Sequence, residues 1–353
     1  MTKARAVRAA QWAAIIVSGE WLADAGVALV GTLGFLYAES TWVHVRTFTP
    51  EEAFHYAATG TEIMPMPVFV ALPVLFPDQF QPGGQAAGDW IDQFGFIRGK
   101  AGVNHGLPGG FFVSNHRPKS GAPSPVEFVG INCSLCHSSL VRRTESDPGV
   151  LVAGMGNSSL DFIAWVDAFK TAMLDEKRMT VDNVVSTYER VSGKRLGLGE
   201  KLMVRLWMTQ TRKTIEESEV KTDSPDGGAH GLGYRLMPNG PSRTQPFRNL
   251  VRNIMNRPAL LERGLCKLPV LYRQKDREWG QFDGTVKNRL TRSVLAAIAV
   301  GATYQNLSTP EVSDNVTKAI DYTLELKEPK FTALFPDQKL DGARTARGER
   351  VYM

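Results

Sequence analysis

The sequence predicts a mainly α-helical chain with long Gly/Pro-rich loops. Apolar residues recur at helical spacing through several runs after residue 158, as in "DFIAWVDAFKTAML" and "VKNRLTRSVLAAIAV". Strict alternation of apolar and polar residues is scarce, and many of the 33 glycines and 20 prolines gather between those runs. With 353 residues, 43% of them hydrophobic, the chain is long enough for one large core or two smaller ones.

The elements follow in order. Lys3, Arg5 and Arg8 precede two apolar runs broken by Glu20 and Asp24. That pattern predicts an export signal or uncleaved membrane anchor over residues 1–45. Residues 46–340 then form the main domain. Its first helix starts with Thr49 as N-cap, Pro50 at the first helical position and acids in the first turn. Residues 64–84 are proline-rich and read as an extended wrapping segment, and residues 99–125 read as a long loop. "EFVGIN" is a weak strand, and "DPGVLVAGMGNSSLD" is loop or short strand. A helix capped by Ser158 or Ser159 follows. A second runs from Thr180 to Gly193, and a third covers "GEKLMVRLWMTQTRKTIEESEV". Residues 223–246 form another loop. A helix ends at Gly301, and the next has Thr309 as cap and Pro310 at its first position. Residues 341–353 read as the start of a helix whose apolar face, Val351 and Tyr352, has no continuation. The expectation is a further unit cut short at its start.

The chemistry concentrates in "GINCSLCHSSLVRR". Cys133, Cys136 and His137 form Cys-x-x-Cys-His in a chain with three cysteines. One reading is covalent haem attachment: two intervening residues let a tight turn present both thiols to the porphyrin vinyl groups, and the adjacent imidazole ligates iron. A zinc site wants a further Cys or His pair, and Cys266 stands alone. A thioredoxin-like dithiol wants a strand leading into a helix. The haem reading accounts for all three residues: one covalent haem c with His137 as metal ligand. The sixth iron position is open to one of the other histidines, His44, His55, His105, His116 or His230, to a methionine, or to no ligand; His105, His230, Met155 and Met237 lie in loops.

Four stretches, "FTPEEAFHYAATGTE", "FVGINCSLCHSS", "PNGPSRTQPF" and "REWGQFDGTVKNRLTRSVLAAIAVGA", together resemble the bacterial di-haem cytochrome c peroxidase superfamily, in its rubber-oxygenase-like branch. The resemblance runs from about Thr47 to the C-terminus but includes the first haem site alone, since no second Cys-x-x-Cys-His occurs. It implies a cytochrome c-like haem domain over residues 46–340 and makes residues 341–353 the start of a truncated second haem domain. It makes Arg243 a candidate partner for haem propionates, in a loop where Ser242 replaces a usual glycine. It makes Trp279, with Asp283, a candidate lining of the haem edge and electron relay. Arg142 and Arg143 are further propionate candidates.

The formal charge of +5 comes without a dense Lys/Arg run, so nucleic acid is not an expected partner. The expected partner is a redox protein or a small-molecule oxidant, and the expected location is the periplasm or cell envelope. The function expected is electron transfer by a c-type cytochrome. The alternative is peroxidase- or dioxygenase-like oxidoreductase chemistry at an open haem iron.

Overall fold

A computed structural model describes residues 47–99, 106–144, 146–220, 240–244, 266–280, 284 and 286–352. The expected signal or anchor over 1–45 lies outside these residues, as do His44, His105, His230, Met237 and Asp283. Among the described residues no helix is long and apolar enough to cross a membrane.

Helices predominate, with three small sheets among the described residues. Helix α1 (Pro50–Tyr56) starts where expected. Thr49 accepts from the Glu52 backbone while the Glu52 side chain reaches back to the Thr49 backbone, which satisfies donors the helix leaves open. Strand β1 (Glu62–Pro65) and helices α2 (Met66–Leu75) and α3 (Pro77–Phe80) occupy most of the stretch expected to be extended. The prolines mislead there. They stand at the starts of both helices, where a missing N–H costs nothing, and Pro73 sits two residues before the end of α2. Helix α2 is apolar on every face and largely buried, so it carries no amphipathic period to read.

Helix α4 (Trp90–Gln93) leads toward a second correction. The expected long loop before the motif contains β2 (Phe111–His116) and the start of β3 (Pro123–Ile131). Strand β3 is the centre of an antiparallel sheet in the order β1-β3-β2. It runs through Asn132 directly into α5 (Cys133–His137). Strands β4 (Ser138–Val141) and β5 (Val150–Ala153) then pair as a hairpin.

The helical half matches expectation closely. Helix α6 (Phe162–Leu174) is capped by Asp161, which accepts from the Ala164 backbone, and not by a serine. Helix α7 (Val181–Ser192) has Thr180 as N-cap and stops at Gly193 in a left-handed conformation. Helix α8 (Leu198–Val220) follows. Strands β6 (Arg243–Thr244) and β7 (Cys266–Lys267) pair. Helices α9 (Arg289–Ala299), α10 (Tyr304–Leu307), α11 (Pro310–Glu325), α12 (Phe331–Leu334) and α13 (Gly342–Tyr352) complete the chain. No residue of α13 is buried.

Two apolar clusters position the motif. The larger joins the sheet to α2, α6, α7 and α8 around an aromatic centre, in which Trp165 stacks on Phe162 and Phe169 and meets Phe96 edge-on. Full burial of each such side chain contributes roughly 1.5–3 kcal/mol. The smaller gathers Phe48, Phe54, Ala57 and Ala319, binding α1 to α11. Cys136 packs against the first cluster and Cys133 against the second, so α5 lies at their seam.

Candidate functional site

A helix of five residues has no stability of its own. The four hydrogen-bonded clamps on α5 explain how it persists. At its start, the Asn132 side chain accepts from the Ser134 backbone, and the Asn132 backbone donates to Gly110 O at 2.8 Å. At its end, helix carbonyls that lack internal partners are taken by one loop. Asn157 Nδ2 donates to Leu135 O, the Asn157 backbone to Cys136 O at 2.8 Å, and the Gly154 backbone to His137 O at 2.7 Å. On the buried face, His55 Nδ1 lies 2.8 Å from Ser134 Oγ, which lies 2.9 Å from Ser138 Oγ. Gly110 has φ +85°, and a Cβ there would overlap the Leu135 backbone, so this approach requires glycine.

The fourth clamp acts on the imidazole. The segment Leu268–Tyr272 continues from β7 and is tied to the first loop by Leu271 N donating to Gly154 O at 2.7 Å. His137 Nδ1 lies 2.9 Å from Pro269 O. A carbonyl only accepts, so Nδ1 carries the proton and Nε2 keeps its lone pair. Burial also pushes the His137 imidazole below its usual range, against the opposing effect of that hydrogen bond, which favours the neutral, ligating form. A metal-bound histidine is commonly oriented in this way, through its second nitrogen.

The two thiols are partly exposed and unpaired. Burial pushes Cys133 up to about 11 and Cys136 up to about 12, the latter also through its neighbour Cys133. Both are protonated at neutral pH. A reactive dithiol needs the opposite shift, although β3 does supply the strand-to-helix entry that "EFVGIN" only weakly suggested. Among the described residues no group of three or more His, Cys, Asp or Glu side chains is placed to hold a metal ion. The Cys266 side chain lies outside that set. The residues present fit a covalently held haem: two neutral thiols and one imidazole with a free Nε2 share a single turn. The buried Tyr272 hydroxyl, next to Leu271, has no hydrogen-bond partner among the described residues.

The remaining expected residues divide. Arg243 is distant from the motif along the chain, and backbone contacts link its turn to the segment that holds His137: Ser242 N donates to Leu160 O, Leu268 N donates to Ser242 O, and β6 pairs with the strand that leads into Pro269. The Arg243 side chain is exposed. Ser242 has φ +66°, a region that favours glycine, which gives a physical reason for a glycine at this turn. Trp279 is 51% exposed, with the Lys287 amine 5.8 Å from its ring centre. Arg142 and Arg143 are exposed, and Arg143 pairs with Asp147 and Asp337. Met155 is half-buried in the loop that clamps α5, while His55 and His116 are buried.

Sequence reasoning missed Asn132, Asn157, Pro269 and the His55–Ser134–Ser138 chain. Asn132 alone left a local signal, as an N-cap residue beside the motif. The chain matches no family model, no curated protein and no solved structure.

Proposed function

We propose that the chain is a c-type cytochrome that carries electrons in the bacterial cell envelope. Residues 46–340 form its cytochrome c-like domain, and one haem c is bound covalently through Cys133 and Cys136, with His137 as the proximal ligand. The observation that carries this reading is the bond between His137 Nδ1 and Pro269 O, which leaves Nε2 available beside two protonated thiols. Haem, when bound, supplies a one-electron ferrous/ferric couple.

The chain's residues hold and orient. The thiols each give one thioether, His137 offers a neutral imidazole, and Pro269 fixes its rotation and tautomer. The apolar clusters on either side of α5 exclude water and lower the local dielectric, which influences the potential. Arg243 is the proposed partner of the haem carboxylates. Trp279, exposed and beside Lys287, is the proposed relay to a redox partner protein or small-molecule oxidant.

The test is expression with a haem c maturation system, followed by intact mass and haem staining of a denaturing gel. The expected result is one haem that survives denaturation and is lost when both cysteines are replaced by alanine. A chain of unmodified mass overturns the reading. An absorption spectrum of the reduced protein with and without carbon monoxide separates electron transfer from oxidoreductase chemistry. An unchanged spectrum fits electron transfer; a carbon monoxide complex shows an open iron.

A further inference from the structure

His55 grips the attachment helix from behind. It lies on α1 and is only 9% exposed, within a ring of Phe54, Tyr56 and Tyr322. Its Nδ1 is 2.8 Å from Ser134 Oγ, and Ser134 Oγ is 2.9 Å from Ser138 Oγ. Ser134 lies on α5 and Ser138 caps its C-terminal end as the first residue of β4, and both are almost fully buried. Cys133, Cys136 and His137 are partly exposed. We propose that His55 is a positioning residue: through Ser134 and Ser138 it fixes the rotation of α5 so that both thiols and the His137 imidazole address one porphyrin.

Three physical arguments carry this. First, successive residues of an α-helix are about 100° apart, so a modest rotation of α5 takes one thiol off its vinyl group while the other stays in reach. The backbone clamps hold the ends of the helix, but the hydrogen bond from α1 acts on its buried face between them. Second, packing alone does not explain a histidine here. Burial drives its pKa down to about 4, so the ring is neutral here and brings polar nitrogens into an apolar setting, whereas an apolar side chain would fill the volume with no polar atom to satisfy. A hydrogen bond is directional and fixes an angle, whereas apolar contact fixes only a distance. Third, α1 is a firm base for the grip. It is capped at its start by Thr49 and Glu52 and packed on α11 through Phe54 and Tyr322.

The inference rests on the haem reading, and one set of proteins tests the two separately. Wild type, His55→Leu, His55→Gln and Ser134→Ala are each expressed with the maturation system. The holoproteins are checked for folding by circular dichroism. Thioethers are then counted from the alkaline pyridine haemochrome spectrum and from alkylation of free thiols by iodoacetamide. Wild type is expected to carry two thioethers and no free thiol at Cys133 or Cys136. His55→Leu is expected to raise the singly attached, alkylatable species at least fivefold in folded protein. His55→Gln, which restores a polar partner for Ser134, is expected to recover most double attachment. Ser134→Ala removes the oxygen, keeps the packing, and is expected to behave like His55→Leu; it decides the matter if His55→Leu does not fold. Double attachment at the wild-type level in folded His55→Leu, or in Ser134→Ala, overturns the positioning role and leaves the haem reading intact. A wild type without haem overturns both.

Discussion

Replacing Glu62 by glutamine should stabilise the protein above neutral pH. Glu62 lies on β1 and is 7% exposed. Its carboxyl accepts from Ser114 Oγ at 2.8 Å and from Asn306 Nδ2 at 3.3 Å. Desolvation, the largest influence, and the negative Glu311 raise its pKa from 4.5 to about 7, against the lowering effect of its hydrogen bonds. The native state therefore holds this proton over a range in which the unfolded chain has released it. Stability contributed by Glu62 is fully present below pH 4.5, falls as pH rises from 4.5 to 7, and is level above that. A shift of this size, at about 1.4 kcal/mol per unit, is worth about 3 kcal/mol. Glutamine keeps the contacts without the charge: its amide N–H donates to Ser114 Oγ, and its oxygen accepts from Asn306. The assay is urea unfolding followed by circular dichroism from pH 4 to pH 8 on wild type and Glu62→Gln, in which other titrations cancel in the difference. The two should converge near pH 4.5 and differ by about 3 kcal/mol at pH 7.5, with the glutamine variant more stable. A pH-independent difference, or a wild type that gains on the variant as pH rises, would refute the assignment of a buried, protonated carboxyl.

Ser242→Gly should raise stability by about 0.5–1 kcal/mol in thermal melts, because glycine relieves the left-handed backbone at φ +66°; a lower melting temperature contradicts this. Gly110→Ala should destabilise by more than about 2 kcal/mol and lower haem incorporation, since the new methyl meets the Leu135 backbone; equal yield and stability count against the close approach. Asn157→Ala strips the partner from Leu135 O and the turn bonds to the Ser159 and Leu160 backbones. A loss of about 2 kcal/mol in denaturant unfolding is expected, with faster amide exchange across residues 133–137.

Elements whose signals are local were legible in the amino-acid sequence. Helices α6, α7, α8, α9 and α11 each keep a wet face, so their apolar period is visible, and Thr180, Gly193 and Pro310 mark boundaries within a few residues of what they terminate. The spacing of Cys133, Cys136 and His137 is equally local. The rest depends on long-range contacts. Helix α2 and the second half of β3, from Phe128 to Ile131, are buried on more than one side, so they lack the polar half that makes a period, and the prolines of α2 and of the start of β3 read as breakers. The cap of α6 fell to Asp161 because its carboxylate reaches the third helical N–H, a matter of backbone geometry that composition does not show. The candidate site is the clearest case. His137 is held by a carbonyl 132 residues away and Ser134 by a histidine 79 residues away. Such pairs meet only when the two apolar clusters close around α5. Hydrogen bonds act over about 3 Å of space, whatever the distance along the chain.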